Sequence, residues 1–560
     1  MDLFFCWAVE PISNSIQTVK TMANSSLISK IAILFPISLA MFTPLTASAQ
    51  VTRHWTPIGT SNNWHDANNW TPAGVPGILD DVVHDNGQRT ISLANGPTSG
   101  IDSMIISQSA RLFTSGNTLN INAVNNTGLL HIIGSGSELV VEPSTTPSPD
   151  ADVDSVDIEI GGKLRMAGGD IRIDREMAVD TSSRIAGFGN VHFDWQDEMQ
   201  MPNVLSVEGT IQPTDGLLTI TAEEFATIDI ADAQIDAGFG NLRIDAEQSE
   251  NFAGTLTVRN GHFVDIRKKM RLSSDSVVNL FGGQPGDEAA MINAETAMQA
   301  RVNVSGSTSM HGLTLLSGEA EVVLPSPADR LRISGALGVF SNSGDDSNPA
   351  PTFSGLGILE IDSDSDLILI NYPVFDATVV NSGRMNVVLG GFLFSSEVGA
   401  AEFNTLVQTN EATLHYDIGI LVGEVFGDVY LANGIVQLDG RLEVSLVDIG
   451  DAGLPELNAG DSFQIISSTV GVFGQFSEVV LPPTPEGLHW QLSYSANSVD
   501  LELTDLILGD VNGDGQVDLL DISPFVETVT SGIYTPSADI NQDTVVDLLD
   551  VEPFIDLIVG

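Results

Sequence analysis

From about residue 50 to residue 505 the chain alternates apolar and polar positions in short runs. LLHIIG (129–134), ELVVE (138–142), VDIEI (156–160), KLRM (163–166) and DIRID (170–174) each put every second side chain on one face. That is the period of a strand with one buried side. Gly, Asn, Asp and Ser separate the runs, as tight turns require. No long 3.6-residue period interrupts the pattern, which predicts a mostly β body.

Three segments share a frame: IAGFGNVHFD (185–194), IDAGFGNLRID (235–245) and FSGLGILEID (353–362). Their first glycines, Gly187, Gly238 and Gly355, lie 51 and 117 residues apart. Glycine at such points allows a positive φ. Unequal spacing favours a solenoid with coils of variable length over blades of fixed size. The competing reading is chance likeness among glycine-rich hairpins. Residues 50–429 are therefore expected to be a β-solenoid. GRLEVSLVDIG, SFQIISS, HWQLSYS and SVDLELT then predict a terminal β unit over 430–505, either a small sandwich or the cap of the solenoid.

Composition narrows the function. The 560 residues carry 74 Asp+Glu against 21 Lys+Arg, a formal charge of −53. Nucleic acid and anionic membrane surfaces need a basic face, so neither is expected as the main partner. Only 17% of residues are charged and 42% are hydrophobic, which separates the chain from disordered acidic sequences. The one cysteine, Cys6, falls in an expected signal peptide over 1–49. Met22 is the more natural start. Lys30 is the basic region, Ile31 to Leu45 the apolar region broken by Pro36 and Pro44, and Ala47-Ser48-Ala49 the cleavage site. The mature chain would be secreted or surface-held, without disulfides and without a membrane anchor.

The body offers little chemistry. The nine histidines are scattered, with no His-Glu-x-x-His, nucleophile elbow or phosphate loop. In NGHFVDIRKKMR (260–271), Arg267, Lys268 and Lys269 form the one basic cluster. It is either a basic turn paired with acids or a group that neutralises a uronate and abstracts a proton. Trp55, Trp64 and Trp70 either plug the first coil or present rings for sugar stacking.

The tail is more specific. In DVNGDGQVDLLD (510–521), Asp510, Asn512, Asp514, the Gln516 carbonyl, Asp518 and Asp521 fall at positions 1, 3, 5, 7, 9 and 12 of an EF-type calcium loop. Gly515 stands at position 6, where the chain turns sharply. Twenty-nine residues on, DINQDTVVDLLD (539–550) repeats the frame through Asp539, Asn541, Asp543, the Val545 carbonyl, Asp547 and Asp550. There Thr544 replaces the glycine.

Two resemblances follow from these residues. HWTPIGTSNNWHDANNWTPAGVPGILDDVVHDNGQRTISL (54–93) and VEGTIQPTDGLLTI (207–220) resemble segments of secreted bacterial autotransporter-like β-helix proteins. That likeness implies a right-handed parallel β-helix and no catalytic residues. The duplicated loop, with Asp at position 12, resembles a type I dockerin over residues 508–560, implying a small α-helical EF-type module, Ca2+ and a cohesin-like partner. Dockerins contact cohesins through loop positions 10 and 11, which here are Leu519-Leu520 and Leu548-Leu549 instead of small polar pairs. Pro524 and Pro553 in the following segments are expected to kink or restart a helix.

The leading reading is an exported, non-catalytic β-solenoid with a calcium-dependent docking module. The alternatives are a glycoside hydrolase or polysaccharide lyase of a dockerin-based system, and a glycan-binding adhesin, either of which would take an extracellular polysaccharide.

Overall fold

The computed structural model describes residues 50–560 except for short stretches, the longest being 94–100, 122–128, 194–203, 284–289, 341–350 and 389–399. The expected leader and Gly238 lie outside the described residues.

Strands of successive coils pair in parallel, from Val51–Trp55 on Asp80–His84 through to Arg441–Val447 on Glu478–Val480. The body is a β-solenoid. One inward row shows why. Ile91 pairs with Leu112, Leu112 with Leu139, Leu139 with Leu164, Leu164 with Ile185, and the row continues to Phe375 and Phe403. These side chains are buried and belong to one continuous core. Each contributes about 1.5–3 kcal/mol of apolar burial, and the outward neighbours face water. Coils differ in length, from 18 residues between Asp366 and Arg384 to 37 between Arg441 and Glu478. Strand spacing of about 4.8 Å brings stacked aromatics into contact. Phe353, Phe375 and Phe403 stack with centroids 4.6 and 5.1 Å apart.

The repeated glycines have a common cause. Gly187 has φ +101° and Gly355 +111°. A Cβ on Gly187 would lie 1.8 Å from the Met166 carbonyl oxygen, and one on Gly355 would lie 2.1 Å from that of Leu324. Met166 and Leu324 are their register partners in the preceding coil. Both glycines let the backbone turn tightly over the coil below.

Both ends break the parallel rule. Val51–Trp55 also pairs antiparallel with Trp70–Thr71. Trp55, Trp64 and Trp70 are fully or almost fully buried, edge-on to one another at 4.9 and 4.8 Å, and the Trp70 indole donates to the Trp64 carbonyl at 2.8 Å. Rings held this way fill the first coil and offer no face to a sugar. Toward the other end, parallel coils run past residue 429 into the segment expected to form a terminal β unit or cap. An antiparallel hairpin, Leu488–Tyr494 with Ser498–Asp505, then lies antiparallel on Ser462–Ser468. Both devices occupy edges that would otherwise recruit another strand.

Two helices follow, α1 (Ile522–Ser531) and α2 (Val551–Val559). Pro524 and Pro553 are the third residue of each, so neither kinks its helix. In the first turn a backbone N–H has no intrahelical partner to lose. No described helix is long and apolar enough to cross a membrane.

Candidate functional site: paired acidic loops at the C-terminus

The two loops fold alike. In the first, the Asp510 carboxylate accepts from the N–H of Gly513, Asp514 and Gly515 at 2.8–3.1 Å. Asp521 accepts from Val511, Asn512 and Asp518 at 2.7–2.9 Å. The second repeats this: Asp539 accepts from Asp543 and Thr544, and Asp550 from Asn541 and Asp547, at 2.8–3.1 Å. The first and last acids of each loop are buried, while Asp514, Asp543 and the asparagines are exposed. Asp521 and Asp550 then lead into the helices, their carbonyls accepting from Phe525 and Phe554 at 2.9 Å.

The sixth position is left-handed in both copies, with φ +84° at Gly515 and +71° at Thr544. The fourth position is left-handed as well, at +75° for Gly513 and +58° for Gln542. Glycine adopts this conformation freely, whereas other residues pay about 1–2 kcal/mol. Loop two is therefore strained at two positions where loop one is relaxed. The calcium-loop frame points to Thr544 but not to Gln542, which only an alignment of the two copies at their 29-residue offset exposes. Loop two has one more difference: the Tyr534 hydroxyl donates to Asp539 at 3.2 Å. Burial and that carboxylate push the Tyr534 hydroxyl up.

The donor chemistry of each loop fits a hard dication. Carboxylates, an asparagine amide and a main-chain carbonyl supply oxygen only. After Arg441 the chain contains no Lys or Arg, so this segment carries no basic side chain of its own against the loop acids. Two buried carboxylates per loop, held by neutral N–H groups and, at Asp539, one hydroxyl, suit a bound cation.

Phe525 and Phe554 close the module's own small core with Ala538 and Val546. Beside it an apolar groove of about 400 Å3 is lined by Leu519, Ile522, Val526, Leu548, Ile555 and Val559, among others. Leu519, Leu520, Leu548 and Leu549 are 66–79% exposed. The structure thus puts position 10 of each loop on one groove, with the leucines at position 11 exposed next to them.

Other candidates lie in the solenoid. The basic cluster is on the strand Phe263–Leu272 and not in a turn, and its Asp265 is buried against Arg243 at 2.8 Å. The side chains of residues 267–271 lie outside the described set. A buried polar network with no signature in the sequence links His415 to Asp417 at 2.9 Å, the Asp417 N–H to Asp428 at 2.9 Å, and the Tyr430 hydroxyl to the His415 carbonyl at 2.6 Å. Burial pushes Asp428 well above the usual carboxylate range, against the Asp417 N–H that favours its charge. It also pushes Tyr416 and Tyr430 up. Asp428 is wholly buried, out of reach of any substrate.

No family model and no curated protein matches the chain. Among solved structures it is similar to the passenger domain of plasmid encoded toxin, an autotransporter enterotoxin from enteroaggregative Escherichia coli. The two are 10% identical, and the match covers 83% of this chain and 72% of that one with a TM-score of 0.20. A score that low has no bearing on function.

Proposed function

We propose that this chain is an exported β-solenoid protein whose C-terminal doublet binds two calcium ions and thereby forms a protein-docking module. The observation that carries this reading is the repeated loop cage, with a left-handed residue at position 6 of both copies. Asp510, Asn512, Asp514, Gln516, Asp518 and Asp521 would hold the first ion. Asp539, Asn541, Asp543, Val545, Asp547 and Asp550 would hold the second. Calcium supplies the positive charge that this lysine- and arginine-free segment lacks, coupling binding to folding of residues 508–560. The docking surface comprises Leu519, Leu520, Leu548 and Leu549 with the groove beside them. Exposed apolar area of this kind marks interaction sites, and the dockerin resemblance supports a cohesin-like partner. Export rests on the leader and cleavage motif.

Limited proteolysis of the full chain with calcium or with chelator tests the reading. Calcium should protect residues 508–560, and chelation should expose them to cleavage while the solenoid stays intact. Equal susceptibility in both conditions would refute the metal-dependent module. Leu519→Asp with Leu548→Asp should keep the protection and lose partner capture.

A further inference from the structure

We propose that His131, Asp157 and Glu159 form a zinc-class metal site on the outer wall of the solenoid, joining two neighbouring coils. The strand Leu129–Ile133 buries Leu130 and Ile132 and turns His131 outward. The strand Ala151–Glu159 buries Val156 and Ile158 and turns Asp157 and Glu159 outward. Parallel register pairs His131 with Asp157 and Ile133 with Glu159. The histidine therefore faces one acid across the ladder and the other on the diagonal.

The geometry favours a shared ligand over a plain ion pair. His131 Nε2 lies 3.4 Å from Asp157 Oδ2 and 3.2 Å from Glu159 Oε2, and one ligand atom from each residue falls within 4.8 Å of the others. Among the described residues this is the one such trio of His, Cys, Asp or Glu. Ligand atoms about 2.0–2.1 Å from a tetrahedral metal are roughly 3.3 Å apart, which is the spacing of each carboxylate from His131 Nε2. Nε2 is also buried without a hydrogen-bond partner, although two carboxylates stand beside it. A protonated imidazole in an ordinary ion pair would direct its N–H at one of those oxygens.

Charge points the same way. The Asp157 and Glu159 carboxylates converge on one imidazole nitrogen, and two such acids repel one another. A dication relieves that repulsion. One imidazole nitrogen and two carboxylates suit zinc or its first-row neighbours, whereas calcium and magnesium prefer oxygen alone. The site is thus chemically distinct from the acidic loops of the tail. All three side chains are partly exposed, at 21%, 31% and 44%, which leaves room for water as a fourth ligand.

The test is calorimetric titration of the untagged full chain with Zn2+ in saturating Ca2+, which fills oxygen-only sites. Wild type should bind one zinc ion. His131→Gln should abolish this, Asp157→Asn should weaken it by about tenfold or more, and Asp510→Ala should leave it unchanged. Zinc binding by His131→Gln equal to wild type, or none by wild type, would overturn the proposal. If His131→Gln fails to fold, Co2+ bound to wild type decides the matter. Visible d–d bands of a nitrogen-containing tetrahedral site are expected, and their absence overturns the assignment.

Discussion

Phe525 stacks on Phe554 with ring centroids 3.8 Å apart and planes 12° from parallel. Each ring stands four residues beyond the last acid of its loop, so the 29-residue repeat of the sequence brings equivalent residues of the two copies into contact. The stack is most of the module's core. Phe554→Ala should cost about 3–5 kcal/mol and unfold α1 and α2 together. Far-UV circular dichroism should show the helical signal lost at temperatures where the solenoid's β signal persists.

The strain in loop two is separable from its ligands. Thr544→Gly removes a left-handed β-branched residue without touching an oxygen donor, and should tighten the second site by roughly 5- to 30-fold. Gln542→Gly should add a smaller gain. Gly515→Thr should weaken the first site by a similar factor. Calcium titrations of the three variants check the set, and an unchanged second site in Thr544→Gly would show that backbone strain does not set the order of filling.

Glycine serves the solenoid for a different reason. Gly187→Ala would drive a methyl into the Met166 carbonyl, at 1.8 Å, and should lower the thermal midpoint severely or prevent folding. Gly453 is the control: its φ is +87°, and a methyl there would meet nothing within 4 Å. Its alanine variant should lose only about 1 kcal/mol, the conformational cost alone.

Asp428 makes stability fall as pH rises. The unfolded side chain titrates near 3.9, while the folded one keeps its proton to much higher pH because it is buried. Between those values the native state holds more protons than the unfolded state, so the contribution is neutral in acid and increasingly unfavourable toward alkaline pH. Asp428→Asn keeps an acceptor for the Asp417 N–H and removes the charge. Urea midpoints should show the variant more stable than wild type at pH 8, with the difference vanishing near pH 3.

Much of the fold is legible in the sequence because strand alternation and coil glycines are local. Leu130 and Ile132 against His131 state their faces by period alone, and Gly187 and Gly355 mark tight turns wherever they occur. Loop chemistry is equally local, since ligand spacing is fixed by the turn. What escapes is non-local. Nothing in the sequence sets the register that puts Asp157 opposite His131, because coil lengths vary from 18 to 37 residues. The same holds for Asp428, brought to the Asp417 N–H by the hairpin of Thr413–Leu421 with Glu424–Gly427. By sequence the three tryptophans favour a plug over a sugar platform, and their burial agrees. The basic run 267–271 suggests a turn because its charge hides a strand's alternation.

Calcium titration of the full chain, with Asp510→Ala and Asp539→Ala alongside, tests the central claim most directly. The expected result is two specific sites of unequal affinity, the tighter abolished by Asp510→Ala and the weaker by Asp539→Ala, with neither present in the double variant. Identical titrations for wild type and the double variant, or no specific binding at millimolar calcium, would contradict it.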